Sequence, residues 1–114
     1  MIDFNDLNKF EFHDQTIRLL QVDFENKKIL ITVDYYTESI DDYLDFNFEF
    51  IGVSNFKMID FEFDFLNELT ISSFNLFENL NEYYAEFDLI DIKNFSAESK
   101  IYFKFLSVLY EYRK

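Results

Sequence analysis

The sequence predicts a mainly β protein, an antiparallel sheet of about seven strands bent into a sandwich or a partly open barrel. Three observations support this prediction. Apolar and polar residues alternate with a period of two over most of the chain. Asn, Asp and Ser interrupt the apolar runs, because Pro is absent and there is one Gly among 114 residues. Seventeen Phe residues supply enough large apolar side chains to fill the space between two layers.

The predicted strands follow the order of these alternating runs. They cover 16–24, 28–36, 43–51, 56–65, 68–77, 83–92 and 100–112. The first run changes phase near Leu19 and Leu20, which predicts a β-bulge there. A short helix over 75–82 is an alternative for the end of the fifth run, and the last run allows a helix from Phe105 onward. Turns are expected where Asn, Asp and Ser cluster between the runs.

Two neighbouring runs, "YLDFNFEFI" and "KMIDFEFDFL", alternate carboxylates with large apolar residues. The period predicts that one set of side chains points inward: Leu44, Phe46, Phe48, Phe50, Ile59, Phe61, Phe63 and Phe65. It predicts that the other set points outward: Asp45, Glu49, Asp60, Glu62 and Asp64. Adjacent pairing of the two runs through Gly52 and Asn55 would place these acids side by side, where like charges destabilise the sheet unless they have a use.

Composition excludes several classes of function. The chain has 10 Lys and Arg against 23 Asp and Glu, which gives a net charge of −13. Such a chain repels nucleic acid and anionic membranes and attracts basic proteins. There is no Cys, so disulfides and thiolate metal sites are excluded. With no membrane-length apolar run and acids at the N-terminus where a signal peptide has bases, we expect one cytoplasmic domain, 1–114, without a cofactor.

Motifs for catalysis are sparse. His13 is the one His in the chain, and Asp14 beside it would orient its ring. The serines lack the surroundings of an activated nucleophile, so we interpret His13 as structural and expect no enzymatic activity. Asp41, Asp42 and Asp45 carry oxygens that suit a hard cation, but they lack the spaced loop of a calcium site. We interpret them as a solvated turn, and we predict no metal site.

The N-terminal third carries the most distinctive pattern, "KFEFHDQTIRLLQVDFENKKILITVDYY". Its Phe-His-Asp motif, followed by two strands around a charged turn, resembles a family of small bacterial proteins that includes immunity proteins of polymorphic toxin systems. The segments "FNFEFIGVSNFKMIDF" and "IYFKFLSVLYEY" are similar to that family's central and closing strands, whereas "NFSAES" departs from its Gly-rich final hairpin. The resemblance implies an antiparallel β domain that binds rather than catalyses, with Phe12, His13 and Asp14 as a structural signature.

These observations lead to one main hypothesis and three alternatives. The main hypothesis is an immunity protein that neutralises a basic, nuclease-type toxin by charge and by tyrosine anchors. The residues predicted to bind this partner are Asp45, Glu49, Asp60, Glu62, Asp64, Glu86, Asp88, Tyr35 and Tyr43. The alternatives are a phage anti-CRISPR protein that mimics nucleic acid, a small hydrolase or ligand-binding domain using His13, and an acidic subunit that assembles through sheet edges. The sequence leaves the choice between monomer and homodimer open.

Overall fold

The structure is a computed structural model that describes Leu7 and residues 10–59, 69–91 and 98–113. Eight antiparallel strands form one sheet. They are β1 (Thr16–Asp23), β2 (Lys28–Thr37), β3 (Asp42–Ile51), β4 (Ser54–Ile59), β5 (Leu69–Asn79), β6 (Glu82–Asp91), β7 (Glu98–Phe105) and β8 (Ser107–Arg113). The predicted antiparallel β class is confirmed, and the sheet is bent without closing into a barrel.

The strand order is β4-β7-β6-β5-β1-β2-β3-β8, so the sheet has two halves joined through β5 and β1. Among the described residues that junction is narrow, because β1 and β5 share only the pairs Thr16↔Thr70 and Ile17↔Leu69 there. The inner faces of the two halves pack on each other through aromatic rings. The Phe50 ring on β3 lies 4.9 Å from Phe103 on β7, centroid to centroid. The outer faces of the two halves therefore point away from each other.

A corner formed by Gly52 and Leu106 explains why the structure has eight strands where the sequence predicted about seven. Gly52 has φ +70, a conformation that side chains other than Gly rarely tolerate. It redirects the chain after β3, so β4 pairs with β7 rather than with β3. Leu106 interrupts the last predicted strand at the same corner, so that this strand is divided into β7 and β8. The pairing of 43–51 with 56–65 that would bring their acids together therefore does not occur within the described residues.

The core is built mainly from Phe and β-branched residues, as the alternation predicted. Phe46, Phe48 and Phe50 are fully buried, which confirms the inward face of β3. Facing positions on β2 and on β6 and β7 complete it: Ile29, Ile31, Val33, Phe87, Leu89, Ile101 and Phe103. Burial of this apolar surface supplies the main stabilisation of the fold.

Several local predictions have a clear outcome. The bulge in β1 is confirmed, since its register shifts between Ile17 and Leu19. The helix considered for 75–82 is wrong, because β5 and β6 meet there in a tight hairpin. The helix from Phe105 onward is also wrong, because β8 pairs with β3. Ile59 was predicted to point inward but is 45% exposed, since β4 is an edge strand with a register shift of its own.

Phe61, Phe63 and Phe65 lie outside the described residues. Within the part of the chain that the structure describes, no helix is long and apolar enough to cross a membrane.

Candidate partner-binding face

The candidate site lies on the outer face of the half-sheet formed by β1, β2, β3 and β8. Residues of β2 and β3 that point outward face each other in cross-strand pairs. From the β2–β3 turn downward these pairs are Tyr36↔Tyr43, Asp34↔Asp45, Thr32↔Asn47 and Leu30↔Glu49. The period of two puts Tyr43, Asp45 and Glu49 on this one face. Three of the predicted binding residues are thus aligned along a single strand.

The end of this face is an exposed pair of tyrosines. The rings of Tyr36 and Tyr43 meet at 5.4 Å between centroids and at 64°, an edge-to-face arrangement. Tyr43 is 59% exposed although it lies in a regular strand. Aromatic rings held by a neighbouring ring lose little conformational freedom on binding, and tyrosine is enriched among the residues that dominate interface energetics. The pair therefore has the character of an anchor.

Carboxylates surround the tyrosine pair. The Tyr36 hydroxyl donates a hydrogen bond to Oδ1 of Asp41, and this bond raises the pKa of the Tyr36 hydroxyl. Asp42 accepts a hydrogen bond from the backbone N–H of Tyr43 at 2.8 Å. Glu38 lies in the same turn and is exposed. The chain has no Lys or Arg between Lys28 and Lys57, so this end of the face carries negative charge from one segment without an intervening base.

Further along the face, cations of the same chain neutralise the acids. The guanidinium of Arg18 lies 2.9 Å from Asp34 and 2.7 Å from Asp45, which are opposite each other on β2 and β3. The Lys28 ammonium lies 3.2 Å from Glu49. Arg18 thereby offsets the repulsion of two facing carboxylates. Asp45 and Glu49 are therefore engaged by cations of the same half-sheet.

Glu86 and Asp88 lie on β6, on the outer face of the other half-sheet. The Lys100 ammonium is 2.9 Å from Glu86 and 3.6 Å from Asp88, and these carboxylates raise the pKa of Lys100. Asp88 also accepts a hydrogen bond from Ser73 at 2.6 Å. The structure therefore does not bring Glu86 and Asp88 together with Asp45 and Glu49.

The other predicted binding residues differ in position. Tyr35 points inward, where its ring packs on Phe10, Phe12 and Phe46. Its hydroxyl accepts a hydrogen bond from the backbone N–H of Glu11 at 3.0 Å. This side chain fastens the N-terminal segment to the core. Asp60, Glu62 and Asp64 lie outside the described residues.

The Phe-His-Asp motif lies just before β1. Phe12 is buried and packs on Phe46 and Phe74, at 5.0 Å between centroids in each case. Asp14 adopts φ 67, and its backbone N–H donates to the carbonyl of Ile71 at 2.8 Å. Phe12 and Asp14 therefore support the narrow junction between the two half-sheets, one through packing and the other through its backbone.

His13 points away from the core and is exposed, with Nδ1 3.1 Å from Asp14. An open depression of about 610 Å3 lies beside it, lined in part by Ser72 and Ser73. Ser73 donates its hydroxyl hydrogen to Asp88 rather than to His13. Among the described residues, Asp14 is the one polar side chain that His13 contacts.

The acids considered for a cation, Asp41, Asp42 and Asp45, are each held by other groups. They accept from the Tyr36 hydroxyl, the Tyr43 backbone and Arg18 respectively. The described ranges contain no group of three or more His, Asp or Glu side chains arranged to hold a metal ion.

A groove of about 450 Å3 continues the outer face below the carboxylates. Leu19, Leu30 and Leu109 give it an apolar floor, while Thr32 and Asn47 are joined at its centre by a hydrogen bond of 2.7 Å. The outer face thus combines a charged end with an apolar middle.

No known protein family matches the chain, and no curated protein or solved structure matches it either.

Reasoning from sequence missed the turn as the centre of the face. It listed Tyr43 but not Tyr36 among the predicted binding residues, and it interpreted the acids of the turn as a solvated turn. The signal that was available is the absence of Lys and Arg between Lys28 and Lys57, combined with a tyrosine on each side of one hairpin.

Proposed function

We propose that this protein binds and neutralises a basic protein, and that it docks through the β2–β3 turn and the outer face beside it. The observation that carries this proposal is the exposed pair of Tyr36 and Tyr43 at the ends of β2 and β3, beside Glu38, Asp41 and Asp42. Aromatic anchors surrounded by one sign of charge suit a partner surface rich in Lys and Arg. The net charge of −13 supports it, because a field of this sign accelerates encounter with basic proteins.

A nuclease-type toxin is the partner class that fits this chemistry best. Enzymes that hold nucleic acid line their sites with Lys and Arg, which neutralise phosphates. A turn of carboxylates offers such a site negative charge in place of phosphate. The resemblance of the Phe-His-Asp segment to immunity proteins supports the same class. A CRISPR nuclease has the same surface chemistry, and the identity of the captured partner distinguishes the two.

Binding is favoured over hydrolysis as the activity. The serines beside His13 do not form a hydrogen bond with it among the described residues, and Ser73 is committed to Asp88. Within the Phe-His-Asp motif, Phe12 contributes a ring to the core, and the backbone of Asp14 bonds to Ile71 where the chain enters β1. Both roles are structural.

The test begins with tagged protein used to capture the partner from cells that express the genes adjoining its own. Nuclease activity of the captured protein is then measured with and without the inhibitor. We expect a basic protein whose activity falls on binding. A captured protein without a basic surface would contradict the proposal.

Two variants separate the contributions of charge and anchor. Glu38→Lys/Asp42→Lys should slow association, because charges at the rim of an interface mainly set the on-rate. Tyr43→Ala should speed dissociation and cost about 2 kcal/mol of binding free energy, the scale of an interface hot spot.

Glu25→Lys/Glu78→Lys is the matched control. It makes the same change in net charge at two exposed positions elsewhere, Glu25 in the β1–β2 turn and Glu78 near the end of β5. If the control slows association as much as the variant in the β2–β3 turn, the site is not at this turn and only the overall charge matters.

A further inference from the structure

The two edge strands of the sheet differ in their protection against pairing with another chain. β4 carries a register shift between Ser54 and Lys57, with Asn55 at φ 52. A bulge and a Lys are two of the devices by which proteins protect a sheet edge. β8 pairs with β3 without a shift over its whole length, from Ile51↔Ser107 to Asp45↔Arg113. It contains no Lys, Pro or Gly.

No strand among the described residues pairs with the second edge of β8. A regular strand of this kind presents a row of backbone donors and acceptors to its surroundings. Leu109, at the centre of the strand, is 57% exposed. If another strand paired with this edge of β8, it would cover Leu109 and bond the backbone groups of the edge.

We propose that β8 is a dimerisation edge, at which β8 of a second copy adds in antiparallel orientation and joins two sheets into one. A second copy matches both faces of the strand. A two-fold axis perpendicular to the sheet keeps Leu109 and Glu111 of both copies on the outer face. It keeps Val108 and Tyr110 of both copies on the inner face, beside the core.

Charge also favours a second copy at this edge. β8 holds one acid and one base, Glu111 and Arg113, which lie 3.5 Å apart. The strand is therefore locally neutral within a strongly acidic protein, whereas a basic partner is drawn to the β2–β3 turn. One register places Leu109 opposite Leu109 of the second copy and covers both leucines. In this register the Glu111 residues of the two copies are not opposite each other.

Dimerisation through β8 leaves the proposed binding turn accessible. β8 ends at Arg113, opposite Asp45, so the turn at 38–41 extends beyond it. Because the two β8 strands are antiparallel, the two turns lie at opposite ends of the joined sheet. The dimer would present two separate docking sites.

Salt dependence distinguishes this dimer from the basic partner. Two copies that each carry −13 repel, so their association should strengthen as salt rises and the Debye length falls from about 10 Å at 0.1 M to about 3 Å at 1 M. Association with a basic partner should weaken over the same range. Sedimentation velocity of the purified protein, over a range of concentrations at both salt levels, should show a dimer that is more abundant at 1 M.

Leu109→Lys tests the edge directly, because it introduces the protective residue that β8 lacks and places two like charges opposite each other. We expect at least about tenfold weaker dimerisation. Ile59→Lys, the same kind of change on β4, is the control and should leave the dimer unchanged.

Amide hydrogen exchange of the parent protein gives a second measurement. β8 amides should become more protected as the concentration rises into the range of the dimer. A parent that stays monomeric throughout would overturn the proposal and leave a strand of another protein as the occupant of this edge. Dimerisation that survives Leu109→Lys, or that Ile59→Lys abolishes, would overturn it as well.

Discussion

Gly52 lies directly against Leu106 at the corner where the chain passes from β3 to β4 and from β7 to β8. A Cβ on Gly52 would lie 2.6 Å from both Cγ and Cδ1 of Leu106 and 2.9 Å from its Cβ. The N–H of Leu106 donates to the carbonyl of Ile51 at 2.9 Å, and that of Val53 donates to the carbonyl of Lys27 at 2.8 Å. The corner is therefore held on both strands by backbone hydrogen bonds.

We expect Gly52→Ala to lower the free energy of unfolding by about 1–2 kcal/mol from the left-handed backbone alone, with a further cost from the close approach to Leu106. Urea denaturation measures this loss. The double variant Gly52→Ala/Leu106→Ala is the control, because it opens space without changing φ. It should recover only the steric cost that comes from Cγ and Cδ1 of Leu106, because the Cβ at position 106 remains. Full recovery would mean that the backbone conformation carries no strain.

Leu80 occupies the tip of the β5–β6 hairpin with φ 52 and is 87% exposed. With Asn81 at φ 65, the turn has the two positive φ angles that favour Asn and Gly. Leu80→Asn should therefore raise the free energy of unfolding by about 1 kcal/mol. Leu80→Ala keeps the unfavourable φ and should give no comparable gain. Thermal melts of the three proteins test the difference, and an equal gain in both variants would assign it to the removal of exposed apolar surface.

Phe12 and His13 are adjacent in the chain but should differ widely in their effect on stability. Phe12→Ala removes a buried ring and should cost about 3–5 kcal/mol. His13→Ala removes an exposed contact with Asp14, which should cost less than about 1 kcal/mol. Denaturant unfolding of both variants measures the two costs. A large loss for His13→Ala would indicate a structural role that its exposed position does not explain.

The ion pair between Glu82 and Lys104 should make a small acid-sensitive contribution to stability. Lys104 lies 2.9 Å from Glu82, and its hydrogen bond lowers the pKa of the Glu82 carboxyl. A carboxyl whose pKa is lower in the folded state stabilises the fold above its unfolded-state pKa, and this stabilisation is lost as pH falls through the folded-state pKa. Glu82→Gln should therefore reduce the acid-induced decrease in melting temperature slightly. Glu25→Gln, which removes an exposed carboxylate in the β1–β2 turn, is the control, and an equal change in both variants would mean that net charge rather than the ion pair sets the effect.

The alternation of β3 was sufficient to predict its inward and outward faces. A period of two records burial on one side directly, so Phe46, Phe48 and Phe50 could be assigned before the fold was known. The same rule was wrong for Ile59. An edge strand with a register shift no longer alternates between core and solvent, and sequence alone does not show which strand lies at the edge.

For the candidate site, the sequence predicted Tyr43 correctly as an exposed residue of this face, but it did not predict on which face of the sheet several other residues lie. Tyr35 and Tyr36 are adjacent, yet Tyr35 packs the N-terminal segment against the core and Tyr36 is exposed on the outer face beside the turn. Glu86 and Asp88 carry the same charge as Asp45 but lie on the opposite outer face. These distinctions depend on strand order, which local patterns do not contain.

The sequence by itself determined the β class, the bulge in β1, the phenylalanine core and the acidic character of the surface. Each of these follows from local chemistry: side-chain period, turn residues and net charge. The tertiary structure decided that β3 and β4 separate at Gly52, that Arg18 and Lys28 neutralise Asp45 and Glu49, and that Tyr36 and Tyr43 meet beside the acids of the β2–β3 turn. These outcomes depend on contacts between residues distant in the chain, and the packing of the two half-sheets selects among the strand orders that the same local pattern allows.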